Sequence, residues 1–337
     1  MSTREIQKNH TLIVGGAGYV GSVMAQQLLN SGHRVRVMDS LIWDNGGSLI
    51  GLADHPRFEF ISGDMNDISV LRRSMSGVDS VVILAGLVGD PITKKYPEVS
   101  RKVNVEGVST LIDTALENDI GRLVFASTCS NYGLHSGEEL ANESTALNPL
   151  SLYAEQKVLI EHMLLSRSRS AASDITILRF ATAFGLSPRM RLDLTISHFA
   201  KDAVLNGVIE IYDADTWRPY CHVSDMAQAV CCTLGAESST IRGEVFNVGS
   251  TGENYTKRML GEFIKELRPK IDVIYRPGGV DARNYRVSFQ KIAEQLDFTA
   301  EYTVREHLPK LLSAMETGVI PLDSPSFSQL GNFNLPE

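Results

Sequence analysis

Short apolar runs alternate with longer amphipathic stretches through the first half of the chain. Thr11–Val14, Arg34–Met38, Phe58–Ile61, Ser80–Leu84, Arg122–Ala126 and Asp174–Leu178 read as strands, and the segments between them have helical length. Strands this uniformly apolar, spaced by helices, are what a parallel sheet covered on both faces requires. A helix is expected to open near Tyr19 and run to about Asn30, with Gly32 as its stop. A second should cover Val99–Asn118. A third should start after Pro149, with Ser151 or a neighbour as N-cap, and run to about Ser166. The pattern predicts the α/β class with a doubly wound parallel sheet.

After about Leu186 the alternation loosens. Ser187–Arg191, Trp217–Tyr220 and Arg276–Gly279 look like loops of a smaller mixed α/β region, and Glu244–Val248 reads as a strand returning to the main sheet. The expected division is a first domain over 1–186, rejoined by 220–250, then a smaller domain over 187–320. The remaining 321–337, rich in Pro, Ser and Asn, is expected to be an irregular tail.

Composition narrows the class. With 337 residues, 43% hydrophobic and 21% charged, the chain can bury a large core. A net charge of −8 and only short basic clusters argue against nucleic acid as a partner. No apolar run approaches the ~18 residues of a membrane span. Met1–His10 is polar and lacks the apolar segment of a signal peptide. Cys129, Cys221, Cys231 and Cys232 have no metal-ligand spacing, so reduced thiols and a cytoplasmic location are expected. His222 and Asp225 form a His-x-x-Asp pair without a third ligand, read as a structural turn, and no metal is expected.

Two strings carry the chemistry. Gly15-x-x-Gly18-x-x-Gly21 follows the first strand and opens a helix. Glycines there let backbone N–H groups approach a pyrophosphate, with the helix N-terminus adding its dipole. Asp39 ends the second strand, where a carboxylate accepts hydrogen bonds from ribose hydroxyls and repels a 2′-phosphate, favouring NAD over NADP. Downstream, Tyr153 and Lys157 stand at i and i+4, on one helix face. An ammonium near a phenol lowers its pKa from ~10 and favours phenolate. Thr128 follows the fifth strand, at the sheet edge where ligands bind in such folds.

These residues, with Gly63-Asp64, Leu84-Ala85-Gly86, Asn104, Tyr132-Gly133, Arg179, Arg218-Pro219-Tyr220-x-His222-Val223-x-Asp225, Asn247-Val248-Gly249 and Arg283-x-Tyr285, carry a resemblance. From Thr11 to Phe298 the chain resembles the extended short-chain dehydrogenases/reductases, within them the nucleotide-sugar epimerase and dehydratase group. The resemblance implies a Rossmann-type fold, NAD as cofactor, a nucleoside-diphosphate sugar as substrate, and a homodimer through the helices at about 99–118 and 151–168. It implies that Tyr153 is the base, Lys157 its tuner and ribose ligand, and Thr128 the partner of the substrate hydroxyl. To the glycines and Asp39 it adds Tyr19, Val20, Ser40, Asp64, Met65, Leu84, Ala85, Gly86, Asn104 and Phe180 as cofactor-binding positions. Thr182, Arg191, Arg218 and Arg283 are implied on the substrate side, where guanidinium forks suit phosphate oxygens. Leu84, Thr182 and Ser197 depart from the His, Asn and Asn common in the family.

The two positions after Thr128 decide between reactions. Family 4,6-dehydratases carry an Asp-Glu pair directly after this Thr, and decarboxylases a Glu two residues after it. Here Cys129 and Ser130 stand there. Without those carboxylates, water elimination lacks its acid and base. The expected activity is therefore NAD-dependent epimerisation, most simply at C4 through a 4-keto sugar. The alternatives are a 4-keto-sugar reductase or other sugar-nucleotide oxidoreductase or dehydratase, and a non-catalytic NAD-binding sensor or scaffold.

Overall fold

The apolar runs condense into one sheet whose central strands bury both faces, while the outer strands at Arg34–Asp39 and Phe58–Ser62 keep half-buried and exposed positions. In the computed structural model, which describes residues 9–135, 139–279, 283–322, 331–332 and 334–335, β1 (His10–Val14) is buried along its whole length. The polar segment before residue 9 and most of the tail after 322 lie outside the described residues. After β1 come α1 (Tyr19–Asn30), β2 (Arg34–Asp39), β3 (Phe58–Ser62), α2 (Ile68–Met75) and β4 (Ser80–Ile83). Next are α3 (Asp90–Lys95), α4 (Pro97–Arg101), α5 (Val108–Glu117), β5 (Arg122–Thr128), α6 (Leu152–Ser168) and β6 (Asp174–Phe180). The later elements are β7 (Thr182–Phe184), α7 (Thr195–Asn206), β8 (Val208–Tyr212), β9 (Trp217–His222), α8 (Val223–Gly235), α9 (Ser238–Ile241) and β10 (Val245–Val248). The last are β11 (Asn254–Thr256), α10 (Lys257–Leu267), β12 (Asp272–Arg276), α11 (Gln290–Leu296) and α12 (Val304–Glu316).

Seven strands pair in parallel in the order β10-β6-β5-β4-β1-β2-β3. Alternate side chains feed two cores, as the two-residue period of a strand demands. Leu12, Val14, Val81, Ile83 and Phe125 pack with α2, α5 and α6, while Ile13, Val35, Val37 and Val82 pack with α1 and α8. The chain runs outward through β2 and β3, then returns to the other side of β1 with β4. That reversal opens a crevice beyond the carboxyl ends of β1 and β4.

The helix anticipated over Val99–Asn118 is present as one continuous helical run, α4 passing through a wider π turn at Lys102–Gly107 into α5. The turn brings Asn104 onto the loop after β4, where its Oδ1 accepts from Leu87 N at 2.7 Å. One expectation is corrected: Trp217–Tyr220 is not a loop but most of β9, held between β11 and β7. Its proline and its unbroken burial from Arg218 to His222 hide the strand from a period-two reading. A third core, from α7, α10, α12 and the parallel pair β8 and β12, forms the smaller region.

A buried ion pair docks α6 on the sheet. Arg179 of β6 holds Glu161 of α6 at 2.7 Å, with both side chains at most 5% exposed. Glu161 also accepts from Asn131 Nδ2 at 2.8 Å and from the Ser127 hydroxyl. Arg179 Nη1 reaches Tyr132 Oη at 3.0 Å, and Tyr132 donates to Asn247 Oδ1 at 2.8 Å. One network thus joins α6 to the ends of β5, β6 and β10. Removing one partner strands the other charge away from water. Glu161→Leu should destabilise the fold by about 3–5 kcal/mol in urea unfolding, and the Glu161→Leu, Arg179→Met pair by less than Glu161→Leu alone.

A histidine pair lies beside the three-stranded sheet. The His222 ring stacks on Tyr302 at 4.3 Å and meets His307 at 4.6 Å, and neither buried Nε2 has a partner. Burial holds both rings neutral, pushing their pKa from 6.5 to about 3 for His222 and about 4 for His307. The stabilisation is complete above pH 6.5 and is lost as pH falls from 6.5 toward 4. Asp225, which accepts from Glu301 N and Tyr302 N, is raised by burial to about 6 and works against this loss as pH falls through 6. The thermal midpoint should fall between pH 7 and pH 5, and His307→Leu should flatten that dependence. An unchanged slope in the variant would remove the pair from the account.

Candidate active site

The turn after β1 is built for close approach. Gly15 has φ +87°, and a Cβ there would lie 2.6 Å from Ala85 N, in the segment that follows β4. A Cβ at Gly21 would lie 2.5 Å from Gly15 O. Gly18 caps α1 without a side-chain hydrogen bond, so the first-turn N–H groups, those of Tyr19 and Val20 included, keep no helical partner. Asp39 Oδ2 accepts from Ala17 N at 3.0 Å and Oδ1 from Leu41 N at 2.9 Å. Asn45 and Ser48 donate to Ala17 O at 2.8 and 2.9 Å, fixing the other side of the same residue. Burial raises the Asp39 pKa. A side-chain-free cradle, open N–H groups at a helix start and a carboxylate at the end of β2 fit a dinucleotide.

Other expected cofactor positions differ in kind. Ser40 and Asp64 are exposed, Asp64 accepting from Asn66 N at 2.9 Å, while Met65 and Phe180 are buried. Leu84 and Ala85 share Val14 O through their N–H groups, and Gly86 follows at φ +155°. Asn104 spends its amide on the protein: Nδ2 donates to Leu87 O at 3.0 Å and Gln156 Oε1 at 2.9 Å. It holds the loop after β4 against α6. The Tyr19 ring lies in the core of the smaller region, its hydroxyl donating to Gly185 O at 2.7 Å.

α6 begins under the Ser151 cap, whose hydroxyl accepts from Ala154 N at 3.3 Å, and its first turn carries Tyr153. Burial raises the phenol's pKa; the guanidinium groups of Arg191 and Arg283 oppose the rise, and Asp90 and Tyr285 add to it. Lys157 is buried, with Nζ donating to Ala126 O at 2.7 Å and lying 5.9 Å from the Tyr153 ring centroid. Burial lowers its own pKa to about 8, against the pull of Glu161. The cations that oppose burial at the phenol are thus Arg191 and Arg283, not the anticipated lysine. Thr128 ends β5, and its Oγ1 accepts from Ser130 N at 3.1 Å, leaving its proton to donate.

Three arginines gather above. Arg283 pairs with Asp90 at 2.8 Å and donates to Ser130 Oγ at 3.2 Å. Tyr285 reaches the same Ser130 Oγ at 3.2 Å. Arg218, on β9, is buried over the Tyr285 ring and donates to Trp217 O at 2.7 Å. Arg191 forks onto Asp193 and donates to Val88 O at 3.3 Å. Thr182, half-buried on β7, pairs in register with Tyr220. Asp90, Asp193 and Asn45 acquire their partners only when the fold brings them to the crevice, while Ser130 stands at the position the sequence singles out after Thr128. The Cys129 thiol packs on Arg179 O at 3.2 Å, and burial pushes its pKa well up. Among the described residues no group of three or more metal-ligating side chains occurs, and no helix is long and apolar enough to cross a membrane.

The UDP-glucuronic acid decarboxylase 1 of Arabidopsis thaliana is 28% identical over 93% of this chain and 71% of its own. A UDP-glucose 4-epimerase of Corynebacterium glutamicum is 28% identical over 87% of this chain and 91% of its own. The structure of MoeE5, solved with UDP-glucuronic acid and NAD, superposes with a TM-score of 0.79 at 26% identity, covering 92% of this chain and 99% of that one. Residues 11–249 match the family described as NAD dependent epimerase/dehydratase. The chain belongs to that family, the nucleotide-sugar branch of the extended short-chain dehydrogenases/reductases, and its cofactor is NAD.

Proposed function

We propose that this enzyme epimerises a nucleoside-diphosphate sugar at C4 through a transient 4-keto sugar. The observation that carries the choice is the state of the two residues directly after Thr128. Cys129 is a buried thiol with a raised pKa, and the Ser130 hydroxyl is engaged by Arg283 and Tyr285. Asp90, the carboxylate felt by the phenol, is paired with Arg283. None of these is placed as the acid and base pair that eliminating water requires.

NAD, when bound, supplies a hydride acceptor and then a donor at the ring carbon. The chain's own groups move the proton. Tyr153 takes it from the C4 hydroxyl and returns it, and Thr128 holds the same oxygen by its free proton. Arg191 and Arg283 lower the cost of phenolate in a buried site, which burial alone opposes. Lys157 would hold the nicotinamide ribose. Arg218 and Arg283 bind the substrate diphosphate, and the family's dimer is proposed through α5 and α6.

Incubation with UDP-, dTDP-, GDP- and CDP-sugars should give an equilibrium of C4 epimers with no net change in NADH. Tyr153→Phe should lower turnover by about 10²–10⁴-fold while NAD stays bound. Stoichiometric NADH consumption would instead make the enzyme a reductase, and loss of water from the sugar a dehydratase. Near-normal turnover in Tyr153→Phe would refute the proton path.

A further inference from the structure

Arg189 lies in the loop between β7 and α7 and is only 6% exposed. Its side chain donates one hydrogen bond, from Nη2 to Asn332 Oδ1 at 2.9 Å, and its Cζ lies 5.6 Å from the Trp43 ring centroid. Nε is buried without a partner, and no carboxylate among the described residues forms an ion pair with it. Burial drives its pKa down to about 10. Asp193 and Asp39 act on it only at a distance, and Arg191 opposes its charge; a buried guanidinium with no carboxylate in contact is costly, and an anion arriving beside it recovers that cost.

The loop's position says which anion. Ser187 Oγ donates to Tyr19 O at 2.7 Å and meets Ser22 Oγ at 3.2 Å, so the loop rests on the first turn of α1. Trp43 belongs to the segment that leaves Asp39, and Asp39 and Arg189 act on each other electrostatically. The unpaired guanidinium therefore stands at the border of the glycine-rich cradle, where α1 leaves its own N–H groups open.

We infer that Arg189 is a cofactor ligand. Its guanidinium binds the diphosphate of NAD from the β7–α7 loop, completing the cradle that the glycines begin. Asn332 is its positioning residue. That asparagine's Nδ2 donates to Val88 O at 3.1 Å, the same carbonyl that accepts from Arg191 Nη2 at 3.3 Å. One residue of the C-terminal segment thus ties the loop after β4 to the loop after β7. The inference rests on the family's cofactor and not on the reaction run on the sugar, so binding tests it apart from turnover.

The test is Arg189→Gln, which removes the charge and keeps a donor toward Asn332. Bound NAD after purification, NAD affinity by calorimetry and the NAD-induced rise in thermal midpoint are measured on the full chain. NAD affinity should fall about 10- to 100-fold, with adenosine, which lacks the diphosphate, and UDP each changed less than twofold. Asn332→Ala should weaken NAD about 3- to 10-fold, and it carries the test if Arg189→Gln does not fold. NAD affinity within twofold of the parent in both variants overturns the inference. So does a loss confined to UDP, which would give Arg189 to the sugar nucleotide, and so does an equal loss for adenosine and NAD, which would make it structural.

Discussion

Everything in the crevice depends on how nearly the end of β1 touches the end of β4. At Gly15 the two backbones leave no room for one carbon atom, since a Cβ would stop 2.6 Å from Ala85 N. That contact sets the switch point of the sheet and the depth at which a diphosphate can sit against α1. The backbone at Ala17 is clamped on both sides, by Asp39 at its N–H and by Asn45 and Ser48 at its carbonyl. The cradle is thus held by β2 and the segment leaving it.

The sheet was legible because burying both faces leaves an unmistakable mark. Thr11–Val14, Arg34–Met38 and Asp174–Leu178 each fall inside an observed strand, and Ser151 caps α6 as its residue type suggests. The smaller region was not legible. β9 carries Pro219 and shows no alternation, so it passed for a loop, and β7 and β11 are three residues long. Spacing placed Tyr153 and Lys157 on one helix face, but spacing says nothing of where a lysine's amine settles. Nζ turns to Ala126 O, a contact set by the strand beneath the helix. The partners of Asp90 and Arg189 were not legible in sequence, because Arg283 and Asn332 lie far along the chain.

The electrostatics of the site oppose those of the whole. A chain with net charge −8 buries Arg189, Arg191 and Arg218 around one crevice, with Lys157 beneath. Burial works against the cations of Lys157 and Arg189 and against a phenolate at Tyr153 alike. Anionic ligands relieve the first problem, and the cations relieve the second. On the proposed reading, anionic ligands would complete the charge balance of the site and so couple catalytic competence to occupancy.

The staple between the two regions has its own consequence. Tyr19 Oη holds Gly185 O, and Ser187 grips the Tyr19 carbonyl and Ser22, so the start of α1 and the loop after β7 move as one piece. With the diphosphate placed as proposed, release of the dinucleotide would require that piece to lift, whereas a sugar nucleotide would depart past the outer arginines. On that reading the first is resident equipment and the second is traffic. A C4 epimerase of the kind proposed, borrowing and repaying electrons within one turnover, would be indifferent to the redox state of its surroundings.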